Sequence, residues 1–321
     1  YSQGTWVITS YAVSEAIMMP LTGWLALRFG QVRMFVAATL LFTLASLLCG
    51  LAPNFPLLVG ARVLQGVFGA AMLPLSQALM VSIYPPQKRG MALGLWIMTT
   101  ILAPIVGPLV GGWLTETFSW RWIFLINLPF GIVVAMLSWQ LLQARESERR
   151  KLPVDYVGLI LLTIGIGTLQ ILLDKGNELD WFASGTIIAL AVTSFVALAF
   201  FVAWELTEEH PVVDLHLFGR GNFAIGSACL MLGSMAFFGG VVLIPLWLQT
   251  FQGYTALWAG KVAAFGGVLS IFLSPLIGAN IHRVDARIFA TIGFTVFALV
   301  SFWSSNFTPD VDYWTVALSR L

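Results

Sequence analysis

Arg62 is the residue of this chain whose position most directly suggests chemistry. It is the only Asp, Glu, Lys or Arg between Arg33 and Lys88, inside the apolar segment LLVGARVLQGVFGAAMLPLSQALMVSIY. As a helix, this segment is long enough to cross a bilayer at about 1.5 Å per residue. A charge near the bilayer centre costs roughly 2.5–3.5 kcal/mol on insertion scales, so it is kept where it faces a partner or a watery cavity. Arg62 therefore indicates a working residue in a protein that crosses the membrane several times.

The residues after Arg62 share one face of the predicted helix with it. Gln65, Gly66 and Gly69 follow at the third, fourth and seventh positions. The glycines allow another helix to approach closely, and Gln65 can satisfy the guanidinium or a ligand. Two interpretations stay open. In the functional one, Arg62 acts by its charge on a nearby proton-coupling acid; in the structural one, it pairs with backbone carbonyls or a neighbouring span.

Glu15 is a second charged candidate, in the middle of the apolar run SYAVSEAIMMP. A carboxyl at this depth can take up a proton or contact a cation. The alternative is a protonated or water-exposed residue of a cavity that has no role in coupling.

The composition excludes a soluble globular protein. The chain is 59% hydrophobic and 10% charged, with a mean hydropathy of +0.89, whereas soluble domains carry about 25% charged residues. A net charge of +1 argues against nucleic acid as a partner. The three histidines have no metal-ligand spacing, and no Gly-x-x-x-x-Gly-Lys-Ser/Thr loop indicates ATP-driven transport. An enzyme or a channel would need a polar cluster or an acidic ring in the spans, where only Glu15, Arg62 and Arg320 are charged apart from Arg33, Glu116 and Lys261 near the span ends.

Charged positions and Gly, Pro or Asn clusters divide the chain into ten predicted membrane spans and the start of an eleventh near Tyr313. Because Tyr1 and Leu321 both lie in or beside apolar runs, we expect an internal piece of a longer protein. The ten spans are predicted at 5–27, 32–51, 55–83, 90–116, 122–143, 156–173, 184–204, 223–251, 256–281 and 288–304.

The basic residues predict the orientation of these spans. With residue 1 outside the cytoplasm, the inner loops hold eleven Lys and Arg residues and the outer ends hold three, namely Arg121, Lys175 and Lys261. Basic residues concentrate on the cytoplasmic side of membrane proteins, so this orientation is the predicted one.

Two markers indicate an internal repeat. Gly23 with Arg28 and Gly278 with Arg283 have the same five-residue spacing, and 258 positions separate Arg62 from Arg320. Two duplicated halves that rock around a site at the midplane are typical of alternating-access transporters.

With these motifs the chain resembles the major facilitator superfamily, and within it the 14-helix drug:proton antiporter family of EmrB/QacA type. The resemblance runs along essentially the whole sequence. The segments that carry it are SQGTWVITSY (2–11), PLTGWLALRFG (20–30), the run 62–69, YPPQKRGMALGLW (84–96), the Gly-Pro motif at 103–113, WRWIFLINLPFG (120–131), LDKGNELDWF (173–182) and PVVDLHLF (211–218).

The resemblance implies an all-α polytopic membrane protein with the major facilitator fold: two pseudo-symmetric helical bundles plus two extra linking helices. The chain would be a fragment that lacks the first helix and the last helices of the family. We expect an N-terminal bundle at 1–143, a cytoplasmic linker with two extra spans at 144–222, and a partial C-terminal bundle at 223–321. The family's proton-binding acid would precede Tyr1.

The resemblance also assigns roles to residues. It implies cytoplasmic latch loops, an interdomain seal, and an apolar and aromatic cavity. In the first loop the acidic position usual for the family is Leu27 and the next basic position is Gln31, which weakens a charge relay there. The alternative for the latch loops is an ordinary anchor of basic residues on the cytoplasmic side. The alternative for the seal is an ordinary kinked, Gly-rich helix, and the alternative for the cavity residues is side chains that face lipid or neighbouring spans. The latch residues would be Gly23, Arg28, Gly30, Arg33, Gly278, Arg283 and Arg287; those of the seal Pro104, Gly107, Pro108, Gly111 and Gly112; and those of the cavity Met18, Met19, Trp96, Met98, Phe237 and Trp247.

The function implied is proton-coupled efflux of hydrophobic or amphipathic drugs across the bacterial cytoplasmic membrane. No cofactor is expected because the proton gradient drives the export. The partners implied are a periplasmic adaptor of EmrA type and an outer-membrane channel of TolC type. The alternative within the same fold is an exporter or uniporter of a metabolite without proton antiport.

Overall fold

A computed structural model describes residues 2–149, 153–280, 283–308 and 311–320. These residues form fourteen α-helices and three short 3-10 turns. The helices are α1 (Ser2–Met18), α2 (Thr22–Phe29), α3 (Gln31–Leu51), α4 (Phe55–Gly69), α5 (Met72–Ile83), α6 (Pro86–Thr117), α7 (Trp122–Leu125), α8 (Asn127–Leu142), α9 (Tyr156–Lys175), α10 (Gly185–Glu205), α11 (Gly221–Phe251), α12 (Ala256–Asn280), α13 (Ala286–Ser304) and α14 (Tyr313–Leu318).

Each predicted span coincides with one helix or with two consecutive helices. In the described residues, seven helical stretches are long and apolar enough to cross a membrane. The first predicted span is interrupted, because α1 ends at Met18 and α2 begins at Thr22. Pro20 has no backbone N–H to donate, which favours a break at this point. The all-helical, polytopic architecture expected from the sequence is confirmed.

Contacts divide the chain into two compact units. The first contains Tyr1–Leu79 and Phe118–Arg220, and the second contains Met80–Thr117 and Gly221–Leu321. In the first unit α1 packs against α4 and α9, α3 packs against α4 and α8, and α9 packs against α10. In the second unit α12 packs against α6, α11 and α14. The sequence predicted two bundles that are each continuous in the chain, at 1–143 and 223–321, and this division stays a prediction.

The two extra spans, α9 and α10, form a close helical hairpin. A methyl group at Gly165 would lie 2.6 Å from the Leu198 side chain, so the helices approach most closely at this glycine. The Ser194 hydroxyl donates a hydrogen bond of 2.9 Å to the Gly165 carbonyl. A hydrogen bond between polar groups is favourable between helices in an apolar medium, and here it fixes the register of the pair.

Each of the three basic residues predicted for the outer face lies over a tryptophan ring. The distances to the ring centroid are 4.9 Å for Arg121 on Trp120, 5.3 Å for Lys175 on Trp6 and 4.3 Å for Lys261 on Trp258. Tryptophan is enriched at the membrane–water boundary, and a cation over its face is attracted by the ring quadrupole. These pairs are suited to anchor the helix ends at the boundary.

Candidate functional site

Arg62 lies within α4, and its side chain reaches across to α1. Its Nε donates to the Val7 carbonyl at 2.9 Å, and its Nη1 donates to Gln65 Oε1 at 2.6 Å. The guanidinium lies 4.2 Å from the centroid of the Tyr11 ring and 5.8 Å from that of Phe124. The charge is therefore partly buried among hydrogen-bond acceptors and aromatic faces, which reduces the cost of removing it from water.

Gln65 extends this network into the core of the first unit. Its side chain is fully enclosed at 2% exposure, and its Nε2 donates to the Ser46 hydroxyl at 2.9 Å. The Ser46 oxygen also accepts from Asn127 Nδ2 at 3.0 Å, and the hydroxyl donates to the Phe124 carbonyl at 3.1 Å. The polar groups of α3, α4 and α8 are thus joined in one connected network. Such networks specify a unique packing when each member is satisfied.

Glycine brings α4 close enough to α1 for these contacts. A methyl group at Gly66 would overlap with the Tyr11 carbonyl and lie 2.9 Å from Ser14 Cβ. One at Gly69 would lie 3.1 Å from the Tyr11 hydroxyl. The close approach that the sequence predicted at Gly66 and Gly69 is therefore present.

Glu15 lies one helical turn after Tyr11 on α1, partly buried. Its carboxylate interacts electrostatically with Arg62 and with Tyr11. The ion pairs of the described residues do not include one between Glu15 and Arg62. The facing helices therefore place one acid and one base near each other without a direct ion pair among the described residues. The structural interpretation of Arg62 is met by the Val7 carbonyl, and its role in coupling stays a prediction.

A second arginine repeats part of this arrangement. Arg320, after α14, donates from Nη2 to the Ser304 hydroxyl at 2.8 Å. Ser304 lies 258 positions after Ser46, the same separation as between Arg62 and Arg320. In both places an arginine is linked to a serine of the preceding long helix, through Gln65 in one case and directly in the other. Sequence reasoning missed both serines, although the constant offset was a signal that would have found them.

The caps of the two arginine helices obey the same offset. The Asn54 side chain accepts from the Leu57 N–H at 3.0 Å, and the Asp312 carboxylate accepts from the Thr315 N–H at 3.1 Å. Hydrogen bonds from the Thr315 side chain and backbone hold the pKa of the Asp312 carboxyl below its usual value. Asn54 and Asp312 are also 258 positions apart, so cap and arginine are separated by eight residues in both halves. This geometry supports the internal repeat.

The first latch segment is organised by a residue that the sequence analysis did not select. Glu146, just after α8, accepts from the Val32 and Arg33 N–H groups, each at 3.0 Å, while the Ser147 hydroxyl accepts from the Gln31 N–H at 3.0 Å. A methyl group at Gly30 would lie 2.5 Å from the Glu146 carboxyl, and Gly30 has a φ of 94°, which favours glycine. Glu146 and Ser147 together satisfy the free N–H groups of the first turn of α3. The carboxylate that binds the first turn of α3 therefore comes from Glu146, and not from the position that is usually acidic in the family, which is Leu27 here.

Several expected loop positions are helical, and this is a correction. Gly23 and Arg28 lie inside α2, because the run WLALRF that follows Gly23 contains neither Gly nor Pro before Gly30. Gly278 lies inside α12, and a methyl group there would lie 2.9 Å from the carbonyl carbon of Gly90 on α6. Gly278 is therefore a packing position of the second unit rather than a turn.

The remaining latch residues have different surroundings. Arg33 is half exposed, and its Nε lies 3.8 Å from the Glu146 carboxylate. Arg283 and Arg287 are exposed, the former in the turn before α13 and the latter in its first turn. Their latch roles stay predictions. His282, one of the three histidines of the chain, lies outside the described residues.

We predict that Glu146→Gln destabilises the protein by about 1 kcal/mol, the usual value of a helix cap. The amide keeps one oxygen but replaces the other with an NH2 group, which cannot accept from the backbone N–H groups of α3. One hydrogen bond of the cap is therefore lost. Thermal unfolding of the purified full-length protein, together with export, measures the effect. Glu148→Gln is the matched control, since Glu148 is exposed in the same linker. Equal melting temperatures for the two variants would contradict the capping role.

The Gly-Pro motif lies within the unbroken helix α6. In the described part of the chain, nothing approaches within 4 Å of a methyl group added at Gly107, Gly111 or Gly112. Pro104 is partly buried, and the side chain of Pro108 lies outside the described residues. Among the described residues, no other helix packs closely against these three glycines, and their role in the seal stays a prediction.

The proposed cavity residues are distributed over three helices and one turn. Met18 ends α1 and Met19 follows it, Trp96 and Met98 belong to α6, and Phe237 and Trp247 belong to α11. Trp247 packs against the buried cluster formed by Leu248, Ala259, Val262 and Val316. This contact gives Trp247 a place in the packing of the second unit, and the assignment of all six residues to a cavity stays a prediction. Among the residues that the structure describes, no group of three His, Cys, Asp or Glu side chains is suited to a metal ion.

Known proteins resemble this chain over nearly its full length. A family model described as the Major Facilitator Superfamily matches residues 1–319. The fatty acid resistance protein FarB of Neisseria gonorrhoeae is 50% identical over 97% of the chain and 61% of FarB. The multidrug export protein EmrB is 49% identical in Haemophilus influenzae, over 100% of the chain and 63% of that protein, and 47% identical in Escherichia coli strain K12, over 97% and 61%.

The chain spans less than two thirds of the length of these relatives. The match nevertheless covers all the helices described above and confirms the resemblance to drug:proton antiporters of EmrB/QacA type. The superfamily is one of membrane transporters and not of enzymes. By sequence and by architecture, this chain is a multi-pass membrane protein that belongs to the Major Facilitator Superfamily.

Proposed function

We propose that the full-length protein exports hydrophobic or amphipathic compounds from the bacterial cytoplasm in exchange for protons. One proton that enters down about 100 mV releases roughly 2.3 kcal/mol, and about 1.4 kcal/mol corresponds to a tenfold ratio. One proton per exported molecule therefore sustains more than a tenfold gradient without a cofactor. The cycle is one of alternating access between the two sides of the membrane.

The Arg62 network is the observation that supports this proposal. A guanidinium within an apolar helix faces α1, where Glu15 presents a carboxyl close enough to interact with it. Ionisable groups inside membrane spans mark the pathways of ions and substrates. A proton that binds at or near this acid changes the net charge beside Arg62, and this change of charge is what couples proton entry to the conformational cycle.

An efflux assay with the full-length protein in proteoliposomes tests proton coupling. We expect transport of a lipophilic fluorescent cation to fall to the level of empty liposomes when a protonophore collapses the proton gradient. Transport that continues unchanged would reject antiport in favour of an exporter or uniporter of the same fold.

The chemical class of the substrate follows from the relatives. The name of FarB refers to fatty acid resistance and that of EmrB to multidrug export, so amphipathic compounds of both signs are candidates. We expect a long-chain fatty acid and a lipophilic cation to compete for export. Export of one that is unaffected by excess of the other would contradict a shared site.

The partners we propose are a periplasmic adaptor of EmrA type and an outer-membrane channel of TolC type. Together they would carry the exported compound across the second membrane of the cell. We expect the adaptor to co-purify with the full-length protein from detergent-solubilised membranes, and its absence from such preparations would contradict this partnership.

A further inference from the structure

Two buried carboxyl groups meet at the inner end of the hairpin formed by α9 and α10. Asp155 caps the start of α9 and is 9% exposed, and Glu205 ends α10 and is 0% exposed. Both side chains approach Gly158. A methyl group at Gly158 would overlap with Asp155 Oδ2 and with Glu205 Oε1, so both oxygens face the same point above that glycine.

One oxygen of each carboxyl, the outer one, accepts hydrogen bonds from the surrounding structure, and the other, the inner one, lies near Gly158. Asp155 Oδ1 accepts from the Gly158 N–H at 2.8 Å and from the Trp204 indole at 3.0 Å. Glu205 Oε2 accepts from the Val213 N–H at 3.0 Å. These bonds hold both groups in place and leave the inner oxygens at the same point above Gly158.

The inner oxygens have no donor. Asp155 Oδ2 and Glu205 Oε1 are buried and have no hydrogen-bond partner among the described residues. A buried acceptor without a donor has lost its hydrogen bonds to water without replacement, and the cost is larger when the group is charged. Two ionised carboxylates in contact are also mutually repulsive, which is why paired carboxyls in proteins commonly share one proton.

Among the described residues, no basic group is found to act on Glu205. The charged groups that act on Glu205 are Asp155 and Glu208, and both are acidic. The other groups in contact are the neutral Trp204 indole and the backbone N–H groups of Gly158 and Val213. A single proton between the two carboxyls satisfies both orphaned oxygens and removes one negative charge.

We propose that Asp155 and Glu205 form a proton-binding carboxyl pair that ties α9 to α10 at the inner end of the extra spans. One proton is bound to one inner oxygen and donated to the other, and the pair carries one negative charge. Because Glu205 also holds Val213, the proton fixes the segment 206–220 against the hairpin. Loss of the proton forces the two carboxylates apart and loosens that segment.

Infrared difference spectroscopy on the full-length protein tests the protonation state. We expect the wild type minus Glu205→Gln spectrum to show the loss of one carbonyl stretch of a protonated carboxylic acid, with the shift on deuterium exchange that identifies it. Asp155→Asn should remove the same band, because a lone carboxylate facing an amide needs no proton. A spectrum that shows no such band in the wild type would overturn the proposal.

The pH dependence of thermal unfolding gives an independent measurement. From about pH 5 to 9, we expect the wild-type melting temperature to fall by at least about 2–4 °C, because the folded pair keeps a proton that the unfolded carboxyls release at lower pH. Glu205→Gln should remove this fall, since its amide donates to Asp155 at every pH and its oxygen still accepts from Val213. Glu209→Gln, an exposed neighbour, should retain it.

A bound metal ion is the competing explanation for the pair. A melting temperature that rises with added Na⁺ or Ca²⁺ in the wild type, and not in Glu205→Gln, would overturn the proton assignment. Equal pH profiles of the wild type and Glu205→Gln would overturn it as well.

Discussion

Arg62→Ala should abolish export while the protein remains in the membrane. The substitution removes the positive charge that faces Glu15 and the two hydrogen bonds that the guanidinium donates to Gln65 and Val7. A hydrogen bond to a charged group contributes about 1.5–3 kcal/mol, so we expect export to fall by more than about tenfold. Drug accumulation in cells that express the full-length protein measures the loss, and gel filtration of the solubilised protein measures the amount that is folded.

Two further variants make this result interpretable. Arg220→Ala, at an exposed position outside the spans, should leave export unchanged. Arg62→Lys keeps the charge but loses the planar fork that contacts Val7 and Gln65 together, so export should be reduced and the fold retained. Wild-type export in Arg62→Ala would remove the proposed role, and wild-type export in Arg62→Lys would reduce it to charge alone.

Gly66→Ala should destabilise the first unit strongly, although alanine is the better helix former. The new methyl group would meet the backbone of α1 at Tyr11 and lie 2.9 Å from Ser14 Cβ, and neither can move without shifting α1. Overpacking of this kind costs about 1–3 kcal/mol, which corresponds to about 2–4 °C in melting temperature per kcal/mol. The separation of α4 from α1 also displaces Arg62 from Val7, so export should fall with stability.

Gly60→Ala is the matched control for this prediction. Gly60 lies in the same helix, and a methyl group there would have nothing within 4 Å among the described residues. Alanine in a helix is favoured over glycine by about 1 kcal/mol, so the melting temperature should stay equal or rise. If both variants melted at the same temperature, the contact between α1 and α4 would not depend on Gly66.

The sequence predicted the helices well because their signal is a simple one. An apolar run of about twenty residues between charged or glycine-rich breaks specifies a membrane helix by length and hydropathy. The same signal does not detect local interruptions of a helix. The break at Pro20 and the helical state of Gly23, Arg28 and Gly278 depend on backbone hydrogen bonds and on close packing, which composition does not report.

The site was predicted in part. Arg62, Gln65 and Gly66 share a helical face by spacing alone, and their common cluster follows from that. Ser46 and Glu146 were missed because their partners are distant in the sequence: Ser46 meets Gln65 from another helix, and Glu146 meets Val32 across more than a hundred residues. Serine inside an apolar run and glutamate in a charged linker are ordinary by themselves, and only the fold shows what they bind.

The packing of α9 on α1 has a consequence for the surface that α1 would present to lipid. The α9–α10 hairpin closes on itself through Gly165 and Ser194, yet it also touches α1, where the Thr9 hydroxyl donates to Asp174 at 2.7 Å. Removal of the hairpin would leave this hydroxyl without Asp174 in an apolar surrounding, which is unfavourable for a polar group. The side chains of α1 on this face therefore suit the hairpin rather than the bilayer.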